Sequence, residues 1–172
     1  MYAPPIRHRH PNHRSRRWQR GVVAIEFALV FLFGVLPLLL ITVSGVMIFA
    51  AQETLSLAAA EGARAALHYG TTAQRESNAC NAAQESMTWL LTFSGQVPNC
   101  ATPQAPGNSF TAIAVSAPTA CPSTPAMECM TVVASYNYNA NPFLPGTKSL
   151  YGWVLGAVMS SSATVQLDLT GD

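Results

Sequence analysis

A single carboxylate at the start of a long apolar run is the first group in this sequence whose chemistry requires an explanation. Glu26 directly precedes the stretch from Phe27 to Ala51, which contains no charged residue. At about 1.5 Å per residue, that stretch can cross a bilayer core of about 30 Å. A carboxylate at the edge of lipid is costly, so it either lies among the headgroups or meets a specific partner. The pattern predicts one membrane-spanning helix that begins with a functional or headgroup-level acid.

The remainder of the chain offers little that could catalyse a reaction. His68 is the only histidine beyond the N-terminal leader, and neither a Gly-x-Ser-x-Gly motif nor a glycine-rich phosphate loop occurs. His68 is expected to complement the dipole at a helix C-terminus. The leader histidines His8, His10 and His13 are not expected to bind metal, because they lie in a segment without apolar periodicity. We therefore expect a structural protein without enzymatic activity, cofactor or metal.

The basic residues are concentrated before the apolar run. Six of the nine Lys and Arg residues precede Gly21, and the chain from Val22 onward carries three basic and eight acidic residues. Arginines beside a membrane span keep that end in the cytoplasm, so the partner of this arm is the membrane and not nucleic acid. The run also exceeds the apolar core of about 7–15 residues typical of a secretory signal peptide. The sequence thus predicts a single-pass membrane protein with its N-terminus in the cytoplasm and its C-terminal domain across the membrane.

All four cysteines follow the span, on the side of the membrane where disulfides would persist if it is the bacterial periplasm. Their spacing fits neither a zinc site nor a redox motif. Four cysteines allow three pairings, and we favour the one that is local in sequence, Cys80–Cys100 with Cys121–Cys129.

The helical pattern continues past the span. Gly34 and Pro37 predict a kink or a loosened turn, because proline removes a backbone donor. One helix is expected over 22–69, with a stripe of small side chains on its outer half and an ion pair between Glu61 and Arg64. A second helix is expected from Thr72 to about Phe93, begun by a capping box of Thr71 and Gln74. The small side chains are Ala59, Ala63 and Ala66, with Gly62 beside them.

The C-terminal third changes to the alternation of β-strands. Apolar residues occupy every second position over 130–138 and 163–169, and 110–117 is a weaker third strand. Phe143 and Trp153 fit either a core or an exposed contact surface. The expected fold is α+β: a long N-terminal helix with a transmembrane N-terminal half, a second helix, and a small antiparallel β-sheet outside the membrane.

Three segments together resemble the TadE family, the pilin-like minor proteins (pseudopilins) of the tight-adherence, Flp-type pilus system. They are R-G-V-V-A-I-E-F-A-L-V over 20–30, P-L-L-L over 37–40 and A-A-A-E-G-A-R-A-A over 58–66. The resemblance implies that a prepilin peptidase cuts after Gly21 and that Val22 becomes the new N-terminus. It also implies that Glu26, the fifth residue of the mature chain, acts in assembly together with Phe27.

The charge chemistry of Glu26 agrees with that role. Cleavage after Gly21 would create an α-amine at Val22, four residues before Glu26 and on the same helix face. An amine and a carboxylate that both leave water need one another, within one chain or between neighbouring subunits. The alternative is that Glu26 lies among the headgroups.

These inferences define three segments and a function. We expect a cleaved basic cytoplasmic leader over 1–21, a transmembrane helix over 22–51 and an extracytoplasmic α+β domain over 52–172. The predicted function is a minor pilin or pseudopilin that assembles through helix–helix contacts. Its expected partners are other pilin-like subunits, the inner-membrane pilus assembly machine, the prepilin peptidase and the membrane. The alternative is a permanently anchored periplasmic scaffold or binding protein with a pilin-like helix.

Overall fold

A computed structural model describes residues 16–95, 100–101, 111–144 and 158–167. The chain divides into two compact units, Met1–Val43 and Ser44–Asp172. The fold is α+β, as predicted, with a long apolar helix at the N-terminus, further helices and a small, mainly antiparallel sheet.

The first unit is helical from Arg16 onward. Helix α1 covers Arg16–Val30 and is followed by a π-helical turn, Phe31–Val35, after which α2 begins at Leu36. The Leu36 amide donates to the Phe31 carbonyl, five residues back, in the turn that precedes Pro37. Because Pro37 has no amide proton, the turn beside it cannot keep the ordinary helical pairing. The loosened turn predicted from Gly34 and Pro37 is therefore confirmed.

Helix α2, Leu36–Ala66, contributes its C-terminal part to the core of the second unit. Its buried residues recur three or four positions apart, as on one helix face, and they are Ser44, Ile48, Ala51, Leu55, Ala58, Ala59, Gly62, Ala63 and Ala66. The helix ends three residues before the predicted Tyr69. The turn that follows is held by backbone bonds from Leu67 to Arg64 and from His68 to Ala65.

The predicted second helix is divided in two. Helix α3 covers Thr72–Ser86, and α4 covers Thr88–Ser94, with Met87 at the break. The Thr71 hydroxyl accepts from the Gln74 amide while the Gln74 side chain accepts from the Thr71 amide, so the predicted capping box is confirmed. Gly95 ends α4 at φ +62°, a left-handed conformation that favours glycine.

The sheet has five described strands, and β4 is at its centre. The strands are β1 (Cys100–Ala101), β2 (Ile113–Val115), β3 (Thr119–Ala120), β4 (Glu128–Tyr136) and β5 (Met159–Leu167). Strand β4 pairs antiparallel with β2, β3 and β5, and β5 follows it over its full length from Glu128↔Leu167 to Tyr136↔Met159. The short β1 pairs parallel with β2, which the sequence did not predict.

The core lies between one face of this sheet and the helices of the second unit. Alternate β4 residues Met130, Val132 and Ala134 are buried, as the period-two pattern predicted. They belong to one cluster with α2, α3 and α4 residues, among them Leu55, Ala83 and Leu90.

Candidate functional site

The surface of the first unit is apolar around most of its circumference. None of its side chains from Val22 to Val43 is buried, and Val22, Ile25 and Phe27 are each more than half exposed. Within the part of the chain that the structure describes, Gly21–Ala66 is the one helix long and apolar enough to cross a membrane. Exposed apolar side chains in such a helix bind lipid or other apolar helices.

Glu26 lies within this apolar surface and is itself exposed. The next residue, Phe27, stacks on Phe31 one turn later, with ring centroids 6.4 Å apart. A helix places such i and i+4 residues on one face. Val22 and Glu26 have the same spacing, so they share a face of α1, next to the face that carries the two rings.

Gly21 lies inside α1 without a packing reason. A Cβ atom added there would meet nothing within 4 Å. Glycine in a helix interior costs roughly 0.5–1 kcal/mol relative to alanine. The geometry of the helix therefore does not account for a glycine at this position.

Gly62 is different, because α2 is closely packed there. A Cβ atom on Gly62 would lie 2.9 Å from the Ala79 carbonyl oxygen, 3.0 Å from Val132 Cγ1 and 3.1 Å from Ala83 Cβ. Its neighbours Ala59, Ala63 and Ala66 are all buried. The predicted small-residue stripe thus packs within the same chain, against α3 and β4. The predicted Glu61–Arg64 ion pair is also confirmed, at 2.9 Å on the exposed side.

Arg75 forms the cap that was expected of His68. Its Nε donates to the Gly70 carbonyl at 3.1 Å and its Nη1 to the Ala66 carbonyl at 3.4 Å, and the residue is only 8% exposed. A cation at the C-terminal end of α2 satisfies carbonyls that have no partner within the helix. His68 is exposed in the turn. No local sequence pattern indicated this role, since Arg75 belongs to the following helix.

The four cysteines form two disulfides. Cys80 of α3 is bonded to Cys100 of β1, and Cys121 is bonded to Cys129 of β4. The first ties a helix to the sheet, whereas the second closes the turn between β3 and β4. This is the pairing favoured from the sequence, in which each cysteine is bonded to its neighbour among the four.

An aromatic cluster surrounds Phe143. Its ring is parallel to that of Tyr136 at 5.4 Å and meets Tyr138 edge-on at 5.7 Å, and Phe143 is buried. Of the two readings open for Phe143, the structure supports the core; Trp153 lies outside the described residues. The Tyr136 hydroxyl donates to the Asn141 carbonyl at 2.6 Å. Burial, with a smaller effect of the neighbouring Tyr138, raises the pKa of Tyr136 to about 12.

No group of three or more His, Cys, Asp or Glu that could hold a metal occurs among the described residues. His8, His10 and His13 lie outside them.

These features define a class: a protein whose described residues comprise a candidate membrane-anchor helix and an α+β unit. Over residues 21–64 the chain matches the family model described as TadE-like protein. The resemblance inferred from the sequence is therefore confirmed for this segment, and it points to a protein associated with the tight-adherence pilus. No curated protein and no solved structure matches the chain.

Proposed function

We propose that this protein is a minor pilin or pseudopilin of a tight-adherence pilus assembly and secretion system. The observation that carries the proposal is the TadE-like segment 21–64, whose N-terminal half exposes apolar side chains around a single acid, Glu26. In this proposal the helix spans the inner membrane with its Arg-rich end in the cytoplasm, and the second unit lies in the periplasm. TadE-like pilus proteins are structural, so the chain would act by assembly and not by catalysis.

Prepilin peptidase would cut the bond between Gly21 and Val22. The empty space around Gly21 supports this proposal, since a glycine that packing does not require fits a requirement of the processing enzyme. The substitution Gly21→Leu should then leave uncut precursor in the membrane, because the peptidase rejects the larger side chain while the helix accommodates it. Intact-mass and N-terminal analysis of the membrane-extracted protein checks this: wild type should begin at Val22.

After cleavage, the α-amine of Val22 would pair with Glu26 of the same subunit or of a neighbour. Both groups lose water when helices pack in the membrane, and each offsets the desolvation cost of the other. The exposed rings of Phe27 and Phe31 on the adjacent face would contribute apolar contact with neighbouring pilin-like subunits and with the inner-membrane assembly machine.

The Glu26→Leu variant tests this pairing. Leucine suits lipid better than a carboxylate, so insertion and cleavage should continue. Assembly should fail, because loss of one partner of a buried pair costs roughly 3–5 kcal/mol, which weakens an association by about two to four decades. Pilus formation and surface adherence are measured in cells that carry the complete pilus machine.

The matched control is Glu53→Leu, which removes an exposed acid from α2 in the second unit. It should assemble at the wild-type level. Normal cleavage and normal pilus formation by Glu26→Leu would show that Glu26 is a headgroup residue. An intact N-terminus in wild type would favour the second candidate, a permanently anchored periplasmic scaffold or binding protein.

A further inference from the structure

Helix α4 carries two aromatic side chains that are partly exposed to solvent. Trp89 is 39% and Phe93 is 49% exposed, although both rings contact the buried Phe143, at 6.4 and 5.3 Å between centroids. The helix reads T-W-L-L-T-F-S and contains no charged residue. Its other large side chains, Leu90 and Leu91, are buried in the core. Trp89 and Phe93 therefore form an outward-facing pair, here called the aromatic face.

Two contacts locate the aromatic face along α2. Gly62 of α2 packs against Ala79 and Ala83 of α3, whereas the Trp89 Nε1–H donates to the Thr54 hydroxyl at 3.0 Å. Trp89 follows Ala79 and Ala83 in the sequence, but it contacts an earlier residue of α2 than they do. Trp89 therefore lies nearer to Ser44, where the second unit begins. Phe93 follows Trp89 by one turn of α4, about 6 Å along its axis.

The beginning of α2 in this unit is apolar on its outside as well. Val46 is 68% and Phe49 is 64% exposed, while Ser44 and Ile48 on the opposite face are buried. Glu53 is the first charged residue after Glu26, and it is exposed. Along α2, the position of Glu53 and Thr54 therefore marks the end of the apolar surface. Trp89 lies at the same position along α2, because it contacts Thr54.

We propose that the aromatic face, together with Phe49, rests in the boundary between lipid headgroups and acyl chains, in the leaflet from which the anchor helix emerges. Aromatic residues are enriched at that depth because an apolar ring enters the acyl region while polar groups remain in water. The indole N–H of Trp89 is already satisfied by Thr54, which leaves its ring edge for lipid. The uncharged run that begins at Phe27 continues along the sequence through Val46 and Phe49, so lipid is the occupant that we assign. The inference rests on the membrane anchoring in the proposed function.

The test uses single-tryptophan reporters in the full chain. Trp18→Phe and Trp153→Phe leave Trp89 as the one tryptophan, since the chain has three. The protein is reconstituted in phosphatidylcholine vesicles that carry bromine atoms on the acyl chains close to the headgroup. Bromine quenches only indoles at its own depth, so Trp89 emission should be much weaker than that of the same protein in vesicles without bromine.

Three further reporters calibrate the depth. Each is the one tryptophan of a chain in which Trp18, Trp89 and Trp153 are all replaced by phenylalanine. Phe93→Trp should be quenched as Trp89 is, because both belong to the aromatic face. Tyr69→Trp, in the exposed turn at the far end of α2, should not be quenched. Phe31→Trp, within the apolar run, should be quenched by bromines placed deeper in the acyl chain.

The outcomes separate the two proposals. If Phe31→Trp is quenched while neither Trp89 nor Phe93→Trp is, the anchor is established and the interfacial contact is wrong. Protection of Trp89 from aqueous iodide without quenching by the lipid would also overturn the proposal and indicate a protein partner on this face. If Phe31→Trp is not quenched, the membrane anchoring itself fails and the interfacial contact fails with it.

Discussion

At the scale of single residues, the residue types at two helix positions are not explained by helical periodicity. Gly21 has open space around it, so packing within this chain does not explain a glycine at this position. Arg75 is a buried cation whose described hydrogen bonds end on the carbonyls of Ala66 and Gly70. Through these bonds it joins the start of α3 to the end of α2 and to the turn between the two helices.

Replacing Arg75 with methionine tests the importance of this cap. Arg75→Met keeps much of the apolar stem but removes both hydrogen bonds, so the free energy of unfolding should fall by about 1.5–3 kcal/mol. Arg64→Met is the matched control, since it breaks only the exposed pair with Glu61 and should change stability by about 0–1 kcal/mol. Denaturant unfolding of the detergent-solubilised chain measures both. Equal losses would show that Arg75 contributes no more than a surface charge.

At the scale of elements, the close approach of α2, α3 and β4 decides the structure of the second unit. Gly62 is the closest point, with the Ala79 carbonyl and the Val132 side chain where a Cβ atom would lie. The disulfide between Cys80 and Cys100 holds α3 to the sheet near the same contact. Small side chains on α2 let the helix axes come close enough for backbone contacts, as they do between membrane helices.

Gly62→Ala should therefore destabilise the second unit. The nearest obstacle at 2.9 Å is a backbone carbonyl, which cannot rotate away, so we expect a loss of roughly 1–3 kcal/mol. The same substitution at Gly34, which has nothing within 4 Å, should cause no loss. Thermal unfolding followed by near-ultraviolet circular dichroism compares the two variants. A Gly62→Ala protein as stable as wild type would mean that α2 can shift without cost.

At the scale of the whole molecule, charge and apolar surface are divided along the chain. The Arg-rich segment precedes the exposed apolar helix, and all four cysteines follow it. The two disulfides lie in the second unit, as expected for a unit exposed to an oxidising compartment. This division is the basis of the proposed orientation, with the leader in the cytoplasm and the second unit in the periplasm.

Cysteine accessibility checks that orientation. After reduction of intact spheroplasts, a membrane-impermeant maleimide should label the native cysteines, because the proposal places them outside. For the control, Ser15→Cys is introduced into a chain whose four native cysteines are replaced by serine. It should react only after lysis, since the proposal places the leader in the cytoplasm. A prepilin peptidase-deficient strain is used so that the proposed cleavage cannot remove the leader. Labelling of the native cysteines only after lysis would show that the orientation is the reverse of the proposed one.

Patterns local in sequence determined a large part of this fold. The apolar run, the capping box of Thr71 and Gln74, and the period-two alternation of β4 and β5 all describe contacts within a few residues or one face of an element. Gly34 and Pro37 marked the irregular turn for the same reason, since a missing amide donor acts locally. The TadE-like motif around Glu26 could likewise be identified from adjacent residues.

Contacts between distant elements could be decided only by the tertiary structure. Arg75 caps a helix to which it does not belong, Phe143 is the centre of a cluster drawn from α4, β4 and the segment that follows β4, and β1 pairs parallel with β2. Periodicity shows which face of an element is apolar but not what covers it. The burial of Ser44 and Ile48 within the apolar run illustrates this, because the same pattern suits a lipid-facing helix and a core helix. Which of the two applies depends on the elements that fold back against it.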